Sequence, residues 1–479
     1  MNLNLLLPEI SLCVLAVVLI VIDLLLPQGR KSILGYIALV GLAFPAVFTL
    51  SLAGVQQVSF SGALVVDQVS VFFKLLFLIA AALVILSSFD YTRRLSILQG
   101  EYYALVLFAT SGMMLMASTR ELISIYIALE FTSITLYVLA ASIRNDAKSS
   151  EAGLKYLLLG ALSSGALLYG MALTFGLTGS TVLNDIASAL AQRGISAAAV
   201  LGLVFIAAGF GFKIATVPFH MWAPDVYEGA PTPITAFLSV ASKAAGFALV
   251  LRVFLTAFEP AEKTWLPLFM VLAAVTMTLG NFVAIRQTNI KRMLAYSSIA
   301  HAGYVLTGLA AATAGATSGM LVYLLAYTLT NLGAFIAIIA FSGQVGSDQI
   351  EDYNGLSRRA PVVSLGLAIC LLSLAGVPPM AGFISKVYLF AAVFDAAAKN
   401  SGLYYLVVIA LLNSAVSIFY YLRVVKAMYF GPAATEESLH TAFSLRVALS
   451  AAVAGVLIVG IYPTPVMQAA SVAAQVLFH

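Results

Sequence analysis

The chain has 479 residues, of which 62% are hydrophobic and 9% charged, with a formal net charge of +4. Soluble domains carry about 25% charged residues. This composition excludes them and specifies an all-α polytopic protein of the lipid bilayer, with no sign of nucleic-acid binding. Two distant cysteines (Cys13, Cys370), four histidines and no Cys-x-x-Cys leave no resident iron–sulfur, haem or structural zinc site. There is no Gly-x-Gly-x-x-Gly fingerprint and no P-loop. Any redox or nucleotide chemistry belongs to another chain.

About 20 apolar residues cross a bilayer core as a helix. On that measure the sequence predicts 14 spans, near 3–26, 33–54, 64–89, 101–118, 121–142, 154–178, 196–227, 233–258, 265–285, 294–311, 317–342, 362–397, 403–430 and 442–472. The first is too long for the core of a signal peptide and lacks a basic start, so it reads as a retained helix. Basic residues then alternate between the two sides. Arg30 and Lys31, Arg93 and Arg94, Arg144 and Lys148, Arg286, Lys291 and Arg292, Arg358 and Arg359, and Arg423 and Lys426 follow odd-numbered spans. Loops after even-numbered spans hold at most one each: Arg120, Arg193, Lys263, Lys399. By the positive-inside rule the first side is cytoplasmic and both termini lie opposite.

Two spans are too long for one crossing. The seventh contains Gly209, Gly211 and Pro218 beside Lys213; the twelfth is cut by Gly376, Pro378, Pro379 and Gly382, with Lys386 just beyond. Each reads as a broken helix, tolerated only inside protein or beside a watery cavity. They lie five spans apart, which predicts an internal repeat inverted in the membrane.

Charged residues inside spans cost about 2.5–3.5 kcal/mol each on insertion scales, which points to use. Glu130 lies mid-span in the fifth helix, Lys213 at the first break, Lys243 about 10 residues into the eighth helix, and Lys386 at the second break. Together they form an axis of ionisable groups along the bilayer plane, the property a proton relay needs. Two readings stand for Lys155: a transport role, or an i,i+4 pair with Glu151. His301 has Ser297 one turn earlier and is placed to relay protons between Lys243 and Lys386. His220 reads as a partner of broken-helix carbonyls, and Asp225 and Glu228 as loop anchors. Asp23, Asp67 and Lys74 read as surface groups or contacts to a neighbouring chain, and the Tyr420–Tyr429 stretch as an interfacial belt.

The stretch VPFHMWAPDVYEGAPTPITAFLSVASK at 217–243 resembles the antiporter-like subunits of respiratory complex I, relatives of multi-subunit cation/proton antiporters. IALEFTSITLYVLA, SSEAGLKYLLLGALSSGALLYG, NIKRMLAYSSIAHAGY and LAGVPPMAGFISKVYLF are similar to further family blocks in the same order. Lys243, and the absence of a long extension after the last span, resemble the subunit N branch. The resemblance implies two inverted five-helix repeats, spans 4–8 and 9–13, within units 1–98, 99–260, 261–430 and 431–479. It implies that Glu130 and Lys213 serve a first half-channel, Lys243 the connection and Lys386 the second half-channel, with Lys155 another family lysine. FMN, iron–sulfur clusters and quinone are then expected on partner subunits, none on this chain. The implied partners are other membrane-arm subunits (antiporter-like neighbours and small helical subunits) and, indirectly, a peripheral redox arm. The expected location is a bacterial inner membrane. A sodium/proton antiporter subunit, or the equivalent subunit of a ferredoxin-, F420- or hydrogenase-linked relative, stands as the alternative.

Overall fold

The computed structural model describes residues 2–94, 98–143, 145–433 and 437–478; Arg144 and the side chain of Arg94, both used in the loop-charge pattern, lie outside them. The chain is helical almost throughout. Helices α1 (Leu7–Leu25), α2 (Ile33–Gly41) and α3 (Ala43–Ser51) lead to a small antiparallel hairpin, β1 (Gln57–Ser59) and β2 (Leu64–Val66). Then come α4 (Gln68–Arg94), α5 (Gln99–Ser118), α6 (Leu122–Ala140), α7 (Ala147–Thr178), α8 (Leu183–Arg193), α9 (Ala197–Ile214), α10 (Trp222–Gly229), α11 (Thr232–Phe237) and α12 (Lys243–Arg252). The second half holds α13 (Glu262–Ile285), α14 (Ile290–Ala311), α15 (Ala314–Val345), α16 (Leu356–Arg359), α17 (Pro361–Ala375), α18 (Ala381–Ala396), α19 (Gly402–Phe430), α20 (Phe443–Ile461) and α21 (Thr464–Gln475).

Among the described residues, eleven helices are long and apolar enough to cross a membrane, against the fourteen spans expected. Two of the other three, α5 and α14, are full-length but carry more polar residues; the third is the divided α17–α18. Three boundaries are corrected. The third span begins as strand β2, because Leu64–Val66 pair with Gln57–Ser59. The sixth begins at Ala147, where the Asp146 side chain caps the Lys148 N–H at 2.8 Å. The fourteenth ends at Ile461, because Pro463 and Pro465 start a separate helix.

The seventh and twelfth expected spans are both interrupted. Helix α9 stops at Ala215, which takes the left-handed conformation (φ 57°), and the chain turns before α10. Helix α17 stops at Gly376 (φ 89°), where a side chain would be strained. Freed backbone groups find partners: Trp222 Nε1 donates to Phe212 O at 2.9 Å, the Val217 N–H to Thr276 Oγ1 at 3.0 Å, and the Gly382 N–H to Ser373 Oγ at 3.0 Å. The segment Thr232–Ala257 runs through the centre, almost wholly buried, with a π-helical turn at Leu238–Ser242 just before Lys243. Helices α13 and α14 touch backbone to backbone: a Cβ on Gly303 would stand 2.5 Å from Met277 N, and one on Gly280 2.6 Å from Ala300 N.

The N-terminal helices are fastened by buried ion pairs, correcting the surface reading of Asp67 and Lys74. Asp67 receives Arg252 on both oxygens, at 2.7 and 3.0 Å, while Arg252 Nε donates to Ala117 O at 2.6 Å. Lys74 Nζ lies 2.8 Å from Glu9 Oε1, both side chains nearly inaccessible. The sequence could not show these partners, which lie 185 and 65 positions away. Burial pushes the Asp67 carboxyl upward, and the Arg252 charge and hydrogen bonds more than offset it, holding it below the usual carboxylate range. Removing one member of such a pair strands a buried charge, at a cost of about 3–5 kcal/mol. Asp67→Ala is therefore expected to lower the thermal stability of the detergent-solubilised protein far more than Asp23→Ala, whose pair with Lys31 is partly exposed. Equal melting temperatures for the two variants would contradict this.

Candidate functional site

Glu130 and Ser133 stand one turn apart on α6. The Glu130 carboxylate, partly buried, accepts a hydrogen bond from Ser164 on α7. Lys213 occupies the last turn of α9, where the helix dipole favours a cation. Its ammonium donates to Ser133 Oγ at 3.1 Å. Among the described residues no ion pair joins Lys213 to Glu130; a serine hydroxyl stands on each. The stem of Lys213 rests on α12, since a Cβ on Gly246 would stand 3.2 Å from Lys213 Cγ. This brings the first lysine against the helix that carries Lys243.

Lys243 donates to Ser298 Oγ on α14 and lies 5.8 Å from the centre of the Tyr227 ring. Tyr227 Oη and Ser298 Oγ are 3.3 Å apart. One turn along α14 from Ser298, His301 is buried with both ring nitrogens engaged: Nδ1 with Tyr323 Oη at 2.7 Å, Nε2 with Tyr421 Oη at 3.1 Å. The Tyr421 hydroxyl also meets Ser297 Oγ. Tyr420 and Tyr421 are fully buried, so the start of the tyrosine-rich stretch is no interfacial belt: their hydroxyls have partners inside, on α13 and α14.

Lys386, on α18 below the second break, donates to Leu374 O (2.9 Å), Ala375 O (3.2 Å) and Ser414 Oγ (2.9 Å). It lies 5.4 Å from the Tyr304 ring centre. Tyr304 Oη bonds Asn281 Nδ2 at 2.8 Å, and Asn281 Oδ1 accepts from Tyr420 at 2.9 Å.

Lys155 is not part of this interior line. Its side chain is 41% exposed and meets Glu151 and Asp225, each at 2.7 Å. Arg292 joins Asp225 (2.8 Å) and Glu228 (3.0 Å), and Lys148 reaches Glu228 at 3.2 Å. This ionic cluster ties α7, α10 and α14 together. Asp225 and Glu228 thus act as the anchors the sequence suggested. His220 lies buried in the turn between α9 and α10.

Eight of the eleven lysines sort into two kinds. Lys31, Lys74, Lys148, Lys155 and Lys291 each meet a carboxylate. Lys213, Lys243 and Lys386, each no more than 5% exposed, meet none within 4 Å among the described residues and are held by Ser133, Ser298 and Ser414. Burial penalises the charged form of a lysine, and a hydroxyl accepts its hydrogen bond without cancelling the charge. Such a group is suited to gaining and losing a proton. Sequence reasoning missed the serines, Tyr323 and Tyr421; the one available signal was the recurrence of small hydroxyl residues in otherwise apolar spans. Among the described residues, no group of three His, Cys, Asp or Glu side chains is placed to hold a metal ion.

Residues 119–417 match the family described as NADH:quinone oxidoreductase/Mrp antiporter, TM. The chain is 47% identical over 478 residues to NADH-quinone oxidoreductase subunit N of Moorella thermoacetica, covering 100% of this chain and 99% of that protein. Among solved structures it is similar to a chain of respiratory complex I from Thermus thermophilus with bound aureothin (TM-score 0.80, 36% identity, 96% of this chain and 98% of that one). It is also similar to a chain of the membrane-bound sulfane sulfur reductase, an archaeal respiratory membrane complex (TM-score 0.84, 25% identity, 99% and 96%). The interior line of hydroxyl-held lysines thus sits in a chain that belongs to the NADH:quinone oxidoreductase/Mrp antiporter family.

Proposed function

We propose that the chain is the proton-translocating subunit N of a bacterial NADH–quinone oxidoreductase, with Glu130, Lys213, Lys243 and Lys386 as its relay. The carrying observation is that, among the described residues, three of the five buried lysines (Lys213, Lys243, Lys386) meet no carboxylate and rest on serine hydroxyls, while the paired lysines serve structure. Electron transfer in partner subunits, which carry the FMN, iron–sulfur clusters and quinone, changes the setting of Glu130 and Lys213. Lys213 then passes its proton toward Lys243, across the contact between its stem and Gly246. From Lys243 the line continues through Ser297, Tyr421 and His301 toward Lys386, with water bridging the gaps between hydrogen-bonded groups. Lys155 is assigned to the ionic cluster and influences the relay through it.

The proposal carries the units 99–260 and 261–430 as two inverted repeats, flanked by 1–98 and 431–479. In favour stand the two broken helices, each with a lysine beside the break. Both termini lie on the non-cytoplasmic side, and the partners are the other membrane-arm subunits. The first test is purification of the tagged native complex in mild detergent with identification of co-purifying chains. Flavin and iron–sulfur subunits with NADH–quinone activity support the reading. Companions limited to antiporter-type membrane chains favour cation/proton exchange, and a ferredoxin- or hydrogenase-type arm favours the other branch of relatives.

In the intact reconstituted complex, Lys213→Ala and Lys386→Ala are each expected to lower NADH-driven proton pumping by about tenfold or more, the scale of a lost acid–base group. Full pumping by either variant removes that residue from the path. Tyr421→Phe keeps the ring but loses the hydroxyl between Ser297 and His301. Its stability cost is expected to be about 1 kcal/mol, with pumping reduced about tenfold; unchanged pumping would show that the line does not pass through Tyr421.

A further inference from the structure

A cleft of about 340 Å3 opens between three helix ends, on the side where the loop lysines and arginines gather. Helices α2 and α20 both pack on α4, and the cleft is the gap they leave. Its outer end is polar: Ser32 at the start of α2, Asp90 and Arg93 near the end of α4, and Ser444 at the start of α20. Its inner end is apolar, with Leu39, Leu86 and Val447 from the same three helices. At the helical rise Leu39 and Leu86 lie about 10 Å deeper than Ser32 and Arg93, and Val447 about 4.5 Å deeper than Ser444.

The polar end has unmet donors. Among the described residues no carboxylate lies within 4 Å of the Arg93 guanidinium, whose forked N–H groups match the oxygens of a phosphate. The Ser444 hydroxyl is shut off from water and has no partner among them either; an unmet buried polar group costs about 1–3 kcal/mol. Aromatic rings flank the opening. Tyr36 and Phe443 are 58% and 76% exposed, and Tyr36 rests on Phe89 with ring centres 4.6 Å apart. Such rings gather at the level of lipid headgroups. The cleft thus changes from polar to apolar along the direction in which a membrane does. A water-soluble anion would fill only the outer end and leave Leu39, Leu86 and Val447 without apolar contact. An apolar helix of a neighbouring chain would leave Arg93 without a counter-charge. A molecule with a charged head and a hydrocarbon tail satisfies both ends.

We infer that the cleft binds one glycerophospholipid: its phosphodiester accepts hydrogen bonds from Arg93 and Ser444, and the first carbons of one acyl chain run along Leu39, Leu86 and Val447. Asp90 accepts from the hydroxyl or ammonium group of the head. The volume is about twice that of the 150 Å3 cavity that takes one benzene, which suits a phosphate and the upper part of one chain, with the rest of the lipid in the bilayer. The bound lipid bridges α2 and α20 across α4 and so ties the N-terminal helices to the last long span. This goes beyond the proton-transport reading and does not depend on it.

The test places the purified native complex in nanodiscs of phosphatidylethanolamine and phosphatidylglycerol, with a trace of phosphatidylglycerol that carries a photoactivatable group at the start of one acyl chain. A diacylglycerol with the same chain is the parallel probe, and the labelled peptides are mapped. Label from the phosphatidylglycerol probe is expected to concentrate on the segments holding Leu39, Leu86 and Val447, above the level at the exposed Leu412 of α19. It is expected to exceed the diacylglycerol label there about fivefold, which corresponds to about 1 kcal/mol, the weight of one basic side chain near a lipid surface. Arg93→Gln removes that preference and Arg93→Lys keeps it, while Val447→Trp fills the inner end and lowers both labels. Variants are scored only in complexes with the full set of co-purifying subunits, and the contrast between the two probes on the unaltered complex stands even where a variant fails to assemble. Equal labelling by the two probes, or labelling no higher than at Leu412, overturns the site; a neighbouring subunit seated in the cleft gives the second of these results. Proton pumping is not the readout, so the lipid site and the transport reading stand or fall separately.

Discussion

The low dielectric of the interior controls everything else in this chain. A charge there must be cancelled by a partner or held by groups that let it disappear. Asp67 with Arg252 and Glu9 with Lys74 take the first course, and each stitches an N-terminal element to another helix. Lys213, Lys243 and Lys386 take the second, resting on serines from a different helix in each case. The same residue type thus performs opposite tasks according to what stands within 4 Å of its nitrogen. Hydroxyls suit the second task because each both donates and accepts, so it can follow a lysine through either protonation state.

The two interruptions resemble each other in outline and differ in chemistry. At the first, Trp222 supplies the donor for Phe212 O and is braced by stacking on Tyr156, with ring centres 4.5 Å apart. Lys213 is thereby free of duty to the backbone. At the second, the lysine itself caps the end of α17, through Leu374 O and Ala375 O. A Cβ on Gly376 would stand 3.2 Å from Lys386 Cδ, so the glycine also makes room for that side chain.

Much of this was readable in the sequence because membrane insertion leaves few alternatives. Long apolar runs, prolines beside glycines, and lysines far from any loop each have a narrow meaning in hydrocarbon. Lys155 was readable only as two possibilities, since its partner Glu151 is local and its partner Asp225 is 70 positions away. The burial of Tyr420 and Tyr421 was not readable at all. A tyrosine suits an interface and an interior equally, and only Asn281, Ser297 and His301 on other helices decide between them. The same holds for Asp67, whose local sequence is that of a helix start. Periodicity reports which face of an element is apolar; it does not report what a polar atom on that face will meet.

In the proposed relay, His301 has to be reset after each transfer. A neutral imidazole has one donor and one acceptor nitrogen, and both here face tyrosine hydroxyls, Tyr323 at Nδ1 and Tyr421 at Nε2. A proton received at one nitrogen and released from the other leaves the ring in the opposite tautomer, with the hydroxyls facing the wrong way for a second transfer. The hydroxyls must turn before the next proton moves. Tyr421 cannot turn alone, because it shares its hydrogen bonding with Ser297, one residue from the Ser298 that holds Lys243. The state of Lys243 and the resetting of His301 are thus linked through adjacent residues of one helix. A free-running wire would leak protons back across the membrane; if the proposed relay holds, the need for this reset ties each transfer to whatever moves Lys243.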